Sequence, residues 1–166
     1  NFLIQHIANQ PQDIQAKLYL ANLHIVSEQA VAKTLFQEVL ELDKQNFVAL
    51  NNLANILLQS GEAAEAIKYA QLATKYHPSI ASGFDTLGSA YKAKNDFTKA
   101  KVAYEAAFKL NSGSLEILLN YVESLALTGE KELAREYLLS LEPIKTQLNE
   151  EQLVKLESRI SKIKSI

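Results

Sequence analysis

The sequence predicts an all-α fold in which four helical hairpins stack in a row and a single helix closes it. The first observation is a period of 34 residues, marked by alanines at positions Ala32, Ala66, Ala100 and Ala134. The second is a set of short polar turns between amphipathic segments: Ser60-Gly61-Glu62, Lys94-Asn95-Asp96 and Thr128-Gly129-Glu130. A fixed period of this size is typical of arrays whose units bury their apolar faces against their neighbours.

Each repeat unit is predicted to be two antiparallel helices that cross closely. The crossing is marked in the third copy by Phe84-x-x-Leu87-Gly88-x-x-Tyr91 and in the second by Leu50-x-x-Leu53-Ala54-x-x-Leu57. Small residues at Ala54 and Gly88 let the helices approach, so a bulky residue at Gly88 is expected to push the hairpin apart. In the first copy Ala21 to Phe36 is one residue shorter than Ala54 to Ala70, which predicts a shortened turn.

The two ends of the chain depart from the period. Residues 1–10, followed by Pro11, read as the second helix of a repeat whose first helix lies upstream, so we expect a longer array before it. Residues 148–164 place Leu153, Leu156, Ile160 and Ile163 on one face and charges on the other, which predicts a capping helix. The intervening hairpins are assigned to 13–45, 46–79, 80–113 and 114–142.

The repeated motifs resemble the tetratricopeptide repeat family over about residues 13–142. The resemblance rests on the Leu-Ala/Gly-x-x-Leu/Tyr pattern of the first helix, best seen in the second and third copies. It also rests on the periodic alanine of the second helix, which is followed four residues later by Phe36, Ala70, Tyr104 and Leu138 in the four copies. The resemblance implies a right-handed α–α superhelix. It also implies that the first helices line a concave face on which peptides bind.

Composition narrows the classes of function. The chain has 17 basic and 19 acidic residues and a net charge of −2, which argues against nucleic acid as a partner. No apolar run is long enough to insert into a membrane. The absence of cysteine removes disulfides, thiolate metal sites and thiol nucleophiles, but leaves the redox compartment open.

The sequence offers no catalytic, metal or cofactor constellation. The histidines His6, His24 and His77 are isolated from each other and from carboxylates at metal-ligand spacing. We interpret His24 as a packed residue of the first hairpin and His77, before Pro78, as a helix-end residue. The glycines do not form a phosphate-binding loop. We therefore predict a protein that is not an enzyme and holds no cofactor.

The predicted peptide-binding residues are polar side chains of the first helices, most of them neutral. A side-chain amide can pair with the peptide N–H and C=O groups of a partner without reading its side chains. The alternative is that these are only polar residues on a solvated helix face. The set is Asn22, Asn51, Asn52, Asn55, Asp85, Thr86, Ser89, Lys92, Asn120 and Glu123.

One known binding mode of the resembled family is not expected. Chaperone-binding members hold a terminal carboxylate with lysines and an arginine on consecutive first helices. The matching positions here are Leu18, Ser82 and Thr86, although Asn22 and Asn52 match the two asparagines of that clamp. Without its cations the clamp cannot pair with a carboxylate.

A narrower resemblance concerns the cellular setting. The stretches from Leu50 and from Phe84 look like the C-terminal part of large tetratricopeptide lipoproteins of the bacterial exosortase (PEP-CTERM) sorting system. That resemblance implies a periplasmic, envelope-facing scaffold in exopolysaccharide-linked sorting. This fragment shows neither a lipid-attachment cysteine nor a signal peptide, so a cytoplasmic location stays open.

The function predicted from the sequence is a non-catalytic scaffold that binds peptide or protein segments along the first helices. The alternative is a structural role, in which the chain is the C-terminal cap or a self-association module of a longer array. In that case the exposed N-terminal helix is expected to pair two copies into a homodimer.

Overall fold

The computed structural model describes residues 2–166 and consists of α-helices joined by short turns. Asn1, the first residue of the predicted segment 1–10, lies outside the described residues. In chain order the helices are α1 (Phe2–Asn9), α2 (Ile14–His24), α3 (Gln29–Leu42), α4 (Phe47–Gln59), α5 (Ala63–Tyr76), α6 (Ala81–Ala93), α7 (Phe97–Leu110), α8 (Leu115–Leu127), α9 (Lys131–Leu139), α10 (Glu142–Lys145) and α11 (Glu150–Lys164).

Side-chain caps define where several helices begin. An oxygen of each capping residue accepts a hydrogen bond from a backbone N–H of the first turn, which otherwise lacks a partner. The caps are Asp13 on α2, Asn46 on α4, Asp96 on α7, Ser114 on α8 and Asn149 on α11. At α11 the side-chain oxygen of Gln152 accepts a hydrogen bond from the backbone N–H of Asn149, which completes a capping box.

The helices pair in sequence order into hairpins, α2 with α3, α4 with α5, α6 with α7 and α8 with α9. We call α2, α4, α6 and α8 the first helices and their partners the second helices. The alanines of the 34-residue period are all buried where these helices meet: Ala32, Ala66, Ala100 and Ala134. Burial at each crossing explains why a small side chain recurs at this interval.

In the third hairpin, helices α6 and α7 cross at a glycine. Tyr104 of α7 is fully buried against α6, and its ring lies over Gly88. A Cβ atom built on Gly88 would lie 2.6 Å from Cδ1 of Tyr104, closer than carbon atoms pack. The expectation that Gly88 is required by close helix approach is therefore confirmed.

The first hairpin corrects one detail of the sequence interpretation. The connection between α2 and α3, residues 25–28, is longer than the three-residue turns of the other hairpins, such as 60–62. Helix α2 ends three residues after Ala21, whereas α4 ends five residues after Ala54, so the missing residue comes from the helix and the predicted shortened turn was wrong. The other turns contain a residue with positive φ, Gly61, Asn95 or Gly129. Residues 25–28 contain no residue with positive φ, and the β-branched Ile25 and Val26 disfavour that conformation.

A helix flanks the hairpins at each end. Helix α1 packs on the N-terminal core through Leu3 and Ile7. Helix α11 packs on α8 and buries Leu156, Ile160 and Ile163 in the C-terminal core. The predicted all-α stack of four hairpins, with an N-terminal helix and a C-terminal capping helix, is confirmed.

Candidate functional site

The predicted binding residues all lie on the first helices, and the repeat register brings most of them to one face of the stack. Asn22 is on α2, three of the asparagines are on α4, four residues are on α6, and Asn120 and Glu123 are on α8. Side chains on successive first helices are close enough to bond across the repeat boundary. This face is therefore one continuous surface that no single repeat could provide.

We call the side-chain hydrogen bonds between successive first helices the polar ladder. At its N-terminal end the amide of Asn52 donates to the amide oxygen of Asn22, with 3.2 Å between the atoms. The next step joins α4 to α6, where Asn55 Nδ2 donates to the hydroxyl of Thr86 over 3.4 Å. Asn22 is exposed and Thr86 is buried, so the ladder becomes less accessible toward the middle of the chain.

The ladder becomes charged between α6 and α8. Asn120 Nδ2 donates to a carboxylate oxygen of Asp85 over 2.7 Å, and Lys92 Nζ donates to Glu123 Oε2 over 3.1 Å. Asn120 and Glu123 are both buried. Their polar atoms are therefore satisfied within the stack rather than by solvent.

Burial raises the pKa of Asp85 above its ordinary value, because a carboxylate withdrawn from water is harder to ionise. The hydrogen bond from Asn120 opposes this shift, as do the charges of Lys92 and Arg159. The charge of Glu116 acts with burial to raise the pKa of Asp85, so Asp85 is a partly desolvated acid.

The sequence interpretation missed Arg159 of the capping helix. Its guanidinium donates to Glu116 and to Asn120 Oδ1, and lies 3.9 Å from Glu123 Oε2. Helix α11 therefore continues the polar ladder as a further first helix would. A signal existed in the sequence: Lys155, Arg159 and Lys162 recur at a spacing of four and three residues, which places them on one face of a helix.

Two predicted residues are not part of the ladder. Ser89 on α6 points into its own hairpin, where its hydroxyl bonds to the hydroxyl of Tyr104 over 3.0 Å. Asn51 on α4 has a buried Oδ1 atom without a hydrogen-bond partner. Asn51 occupies the position of Asp85 one repeat earlier, and Thr86, at the position equivalent to Asn120, is bonded to Asn55 instead.

The three histidines lie in separate environments. His6 Nε2 is 2.9 Å from Asp13 Oδ2, and His77 Nε2 is 2.7 Å from the carbonyl oxygen of Gln45, whereas His24 is half-buried at the end of α2. Among residues 2–166 no three metal-ligating side chains of the His, Cys, Asp and Glu types cluster. Over the same residues, no helix is long and apolar enough to cross a bilayer.

The stacked hairpins and the shared face of their first helices define an α-helical repeat protein. Residues 1–124 match the family model described as a tetratricopeptide repeat-like domain. The match covers most of the chain, and the chain belongs to this family. No curated protein matches it.

Solved structures of the same fold come from diverse sources. MamA (41-end) from Desulfovibrio magneticus RS-1 superposes with a TM-score of 0.79 at 17% identity, covering 89% of this chain and 84% of that one. The Sgt2 tetratricopeptide domain of Aspergillus fumigatus gives 0.68 at 24% identity, covering 72% and 82%. The first tetratricopeptide domain of Spaghetti (RPAP3), bound to the HSP90 peptide SRMEEVD, gives 0.65 at 19% identity, covering 68% and 90%. These likenesses confirm the predicted superhelical repeat fold.

Proposed function

We propose that this chain is a non-catalytic scaffold that binds a peptide or protein segment along the face formed by its first helices. The observation that carries the proposal is the polar ladder, which runs across that face from α2 to α11. The ladder fixes the positions of neighbouring helices and presents exposed amide groups at its N-terminal end. Such groups suit the main chain of an extended partner.

Two further observations support the proposal. The Spaghetti (RPAP3) domain of the same fold holds an HSP90 peptide, so stacked hairpins of this kind are able to bind a peptide. In addition, the charged groups of the ladder are largely paired with each other, as Lys92 is with Glu123. The pairing leaves neutral amides such as Asn22 available to a partner.

Site-specific photo-crosslinking tests the proposal. We expect that a benzoyl-phenylalanine placed at Asn22 forms covalent adducts with a discrete partner segment in an extract of the source cells, because Asn22 is exposed at the accessible end of the ladder. The measurement is mass spectrometry of the cross-linked peptides. Asn120 is unsuitable for this test, since it is buried and bonded on two sides.

The matched control places the same photo-crosslinker at Lys68, an exposed residue of the second helix α5. Adducts from Asn22 but not from Lys68 are the expected result. Equal adducts from both positions, or none from Asn22, would contradict binding on the first-helix face.

The second candidate function is self-association through the N-terminal end. Phe2 is 85% exposed on α1 and Val26 is 94% exposed after α2, with Ile4, Tyr19 and Leu23 also exposed. Apolar side chains clustered at one end of a stack are typical of an interface. If this function holds, light scattering gives a dimer mass, and Phe2→Ser with Ile4→Ser gives a monomer, whereas the control Val154→Ser on α11 leaves the dimer intact.

The narrower setting, an envelope lipoprotein of the exosortase system, rests on the sequence stretches from Leu50 and Phe84 alone. We retain it as a hypothesis on cellular role, together with the division of the chain into repeats at 13–45, 46–79, 80–113 and 114–142. Genes for sorting enzymes or exopolysaccharide synthesis beside this gene would support the envelope role. Their absence would argue against it.

A further inference from the structure

The surface where α8 meets the capping helix contains two adjoining concavities, one lined by charged and one by apolar side chains. The first, of about 370 Å³, is bordered by Lys92, Glu123, Lys155, Ser158, Arg159, Lys162 and Ile163. The second, of about 300 Å³, is bordered by Leu115, Glu116, Leu119, Leu148, Gln152, Lys155, Leu156 and Arg159. Lys155 and Arg159 stand between the two, so a single ligand can occupy both.

The first concavity has unbalanced positive charge at its rim. Glu123 is only 8% exposed, and its carboxylate is shared by Lys92 at 3.1 Å and Arg159 at 3.9 Å. Lys155 and Lys162 are exposed, and within residues 2–166 neither forms a salt bridge. Two ammonium groups therefore remain for an anionic partner, although the chain as a whole carries a net charge of −2.

The second concavity supplies apolar contact. Leu119 and Leu156 are buried at its base, and Leu115 and Leu148 are half-buried beside them. A leucine-sized side chain that enters it would exchange water for these four side chains. Two acids near the site are already paired with other cations, Glu116 with Arg159 and Glu123 with Lys92, so they do not neutralise Lys155 and Lys162.

Building on the proposed scaffold function, we propose that this end of the first-helix face binds an acidic segment of a partner protein, with an apolar side chain in the leucine-lined concavity and carboxylates on Lys155 and Lys162. The two lysines are seven residues apart on α11, a separation of about 10 Å at a rise of ~1.5 Å per residue. A polyproline II chain rises about 9 Å over three residues and returns its side chains to the same face every third residue. The preferred segment therefore has the polyproline II conformation, with a leucine-like residue followed by two acids three positions apart.

Fluorescence anisotropy with defined peptides tests this inference. The probe is a fluorescein-labelled peptide amide in which a leucine precedes two glutamates three positions apart in a glycine–serine background. We expect it to bind, to weaken as NaCl is added, and to lose about tenfold in affinity when both glutamates are replaced by glutamine. Replacing its leucine by serine is also expected to weaken binding, because the apolar contact is lost.

The protein variant Lys155→Gln with Lys162→Gln is expected to bind the acidic peptide about tenfold more weakly. The matched control is Lys68→Gln with Lys75→Gln, which removes two exposed lysines at the same spacing from α5 and changes the net charge equally. The control is expected to keep full affinity. Circular dichroism of both variants is expected to be unchanged, since all four side chains are on the surface.

Three outcomes would overturn the inference: no binding of the acidic peptide up to about 1 mM, equal binding of the glutamine peptide, or equal losses in the two lysine variants. None of these outcomes would contradict the scaffold function, which is tested separately by cross-linking from Asn22. If cross-linking succeeds and the acidic peptide fails, the first-helix face binds a partner by other chemistry. If cross-linking also fails, the scaffold function fails with it.

Discussion

Replacing Tyr104 by alanine is expected to lower the free energy of unfolding by about 3–5 kcal/mol, the cost of removing a large aromatic side chain from a packed interior. Tyr104 is 0% exposed and is the largest fully buried side chain among the described residues. It lies between α6 and α7 and contributes to the C-terminal core cluster. The measurement is urea unfolding followed by circular dichroism.

A conservative variant separates packing from hydrogen bonding at this position. Tyr104→Phe keeps the ring over Gly88 but removes the hydroxyl that bonds to Ser89 over 3.0 Å. It is expected to cost only about 1 kcal/mol, the net value of one hydrogen bond. Equal losses for the phenylalanine and alanine variants would contradict the view that ring packing dominates.

Gly88→Ala is expected to destabilise the chain by about 1–3 kcal/mol, because the added Cβ would lie 2.6 Å from a ring atom of Tyr104. For this net loss, the cost of the clash must exceed the stabilisation of about 1 kcal/mol that alanine normally gives over glycine within a helix. The three closest atoms to the new Cβ all belong to the Tyr104 ring. The clash is therefore with one side chain, and urea unfolding of a double-mutant cycle can isolate it.

In a Tyr104→Ala background, Gly88→Ala is expected to cost nothing or to stabilise, because the atoms it would meet are gone. The control is Gly113→Ala, where the nearest atom to a new Cβ is 3.7 Å away. Its effect on the free energy of unfolding is expected to stay within about 0.5 kcal/mol. A loss at Gly88 that persists without the tyrosine ring would show that the helix crossing is not limited by this contact.

Most residues of the polar ladder could be predicted from the sequence in their positions, but not in their bonding. Counting along the helix from the repeated pairs Leu53-Ala54 and Leu87-Gly88 predicted which residues lie on one face of the first helices. This works because the 3.6-residue helix period fixes which residues share a face. The count did not predict that Asn120 is buried and bonded to Asp85, since that depends on the distance between two repeats. Arg159 was missed because it belongs to the capping helix, outside the repeated motif.

The sequence by itself determined the repeat. The 34-residue spacing from Ala32 to Ala134, the caps at Asn46 and Asp96, and the glycine at the third crossing are local or periodic features. Each is dictated by helix geometry, by backbone N–H groups that need a partner, or by the space between two helices. These constraints act within one or two repeats, and a linear pattern records them.

The tertiary structure alone decided which polar groups remain for a partner. The side chain of Lys92 is paired with Glu123 on the next first helix, whereas Lys155 and Lys162 on α11 are left without such partners among residues 2–166. The pairing depends on how closely successive first helices stack and on where α11 docks. Those distances are set by the packing of whole hairpins, with side chains 30 to 43 residues apart forming the bonds. No periodic pattern in the sequence specifies them.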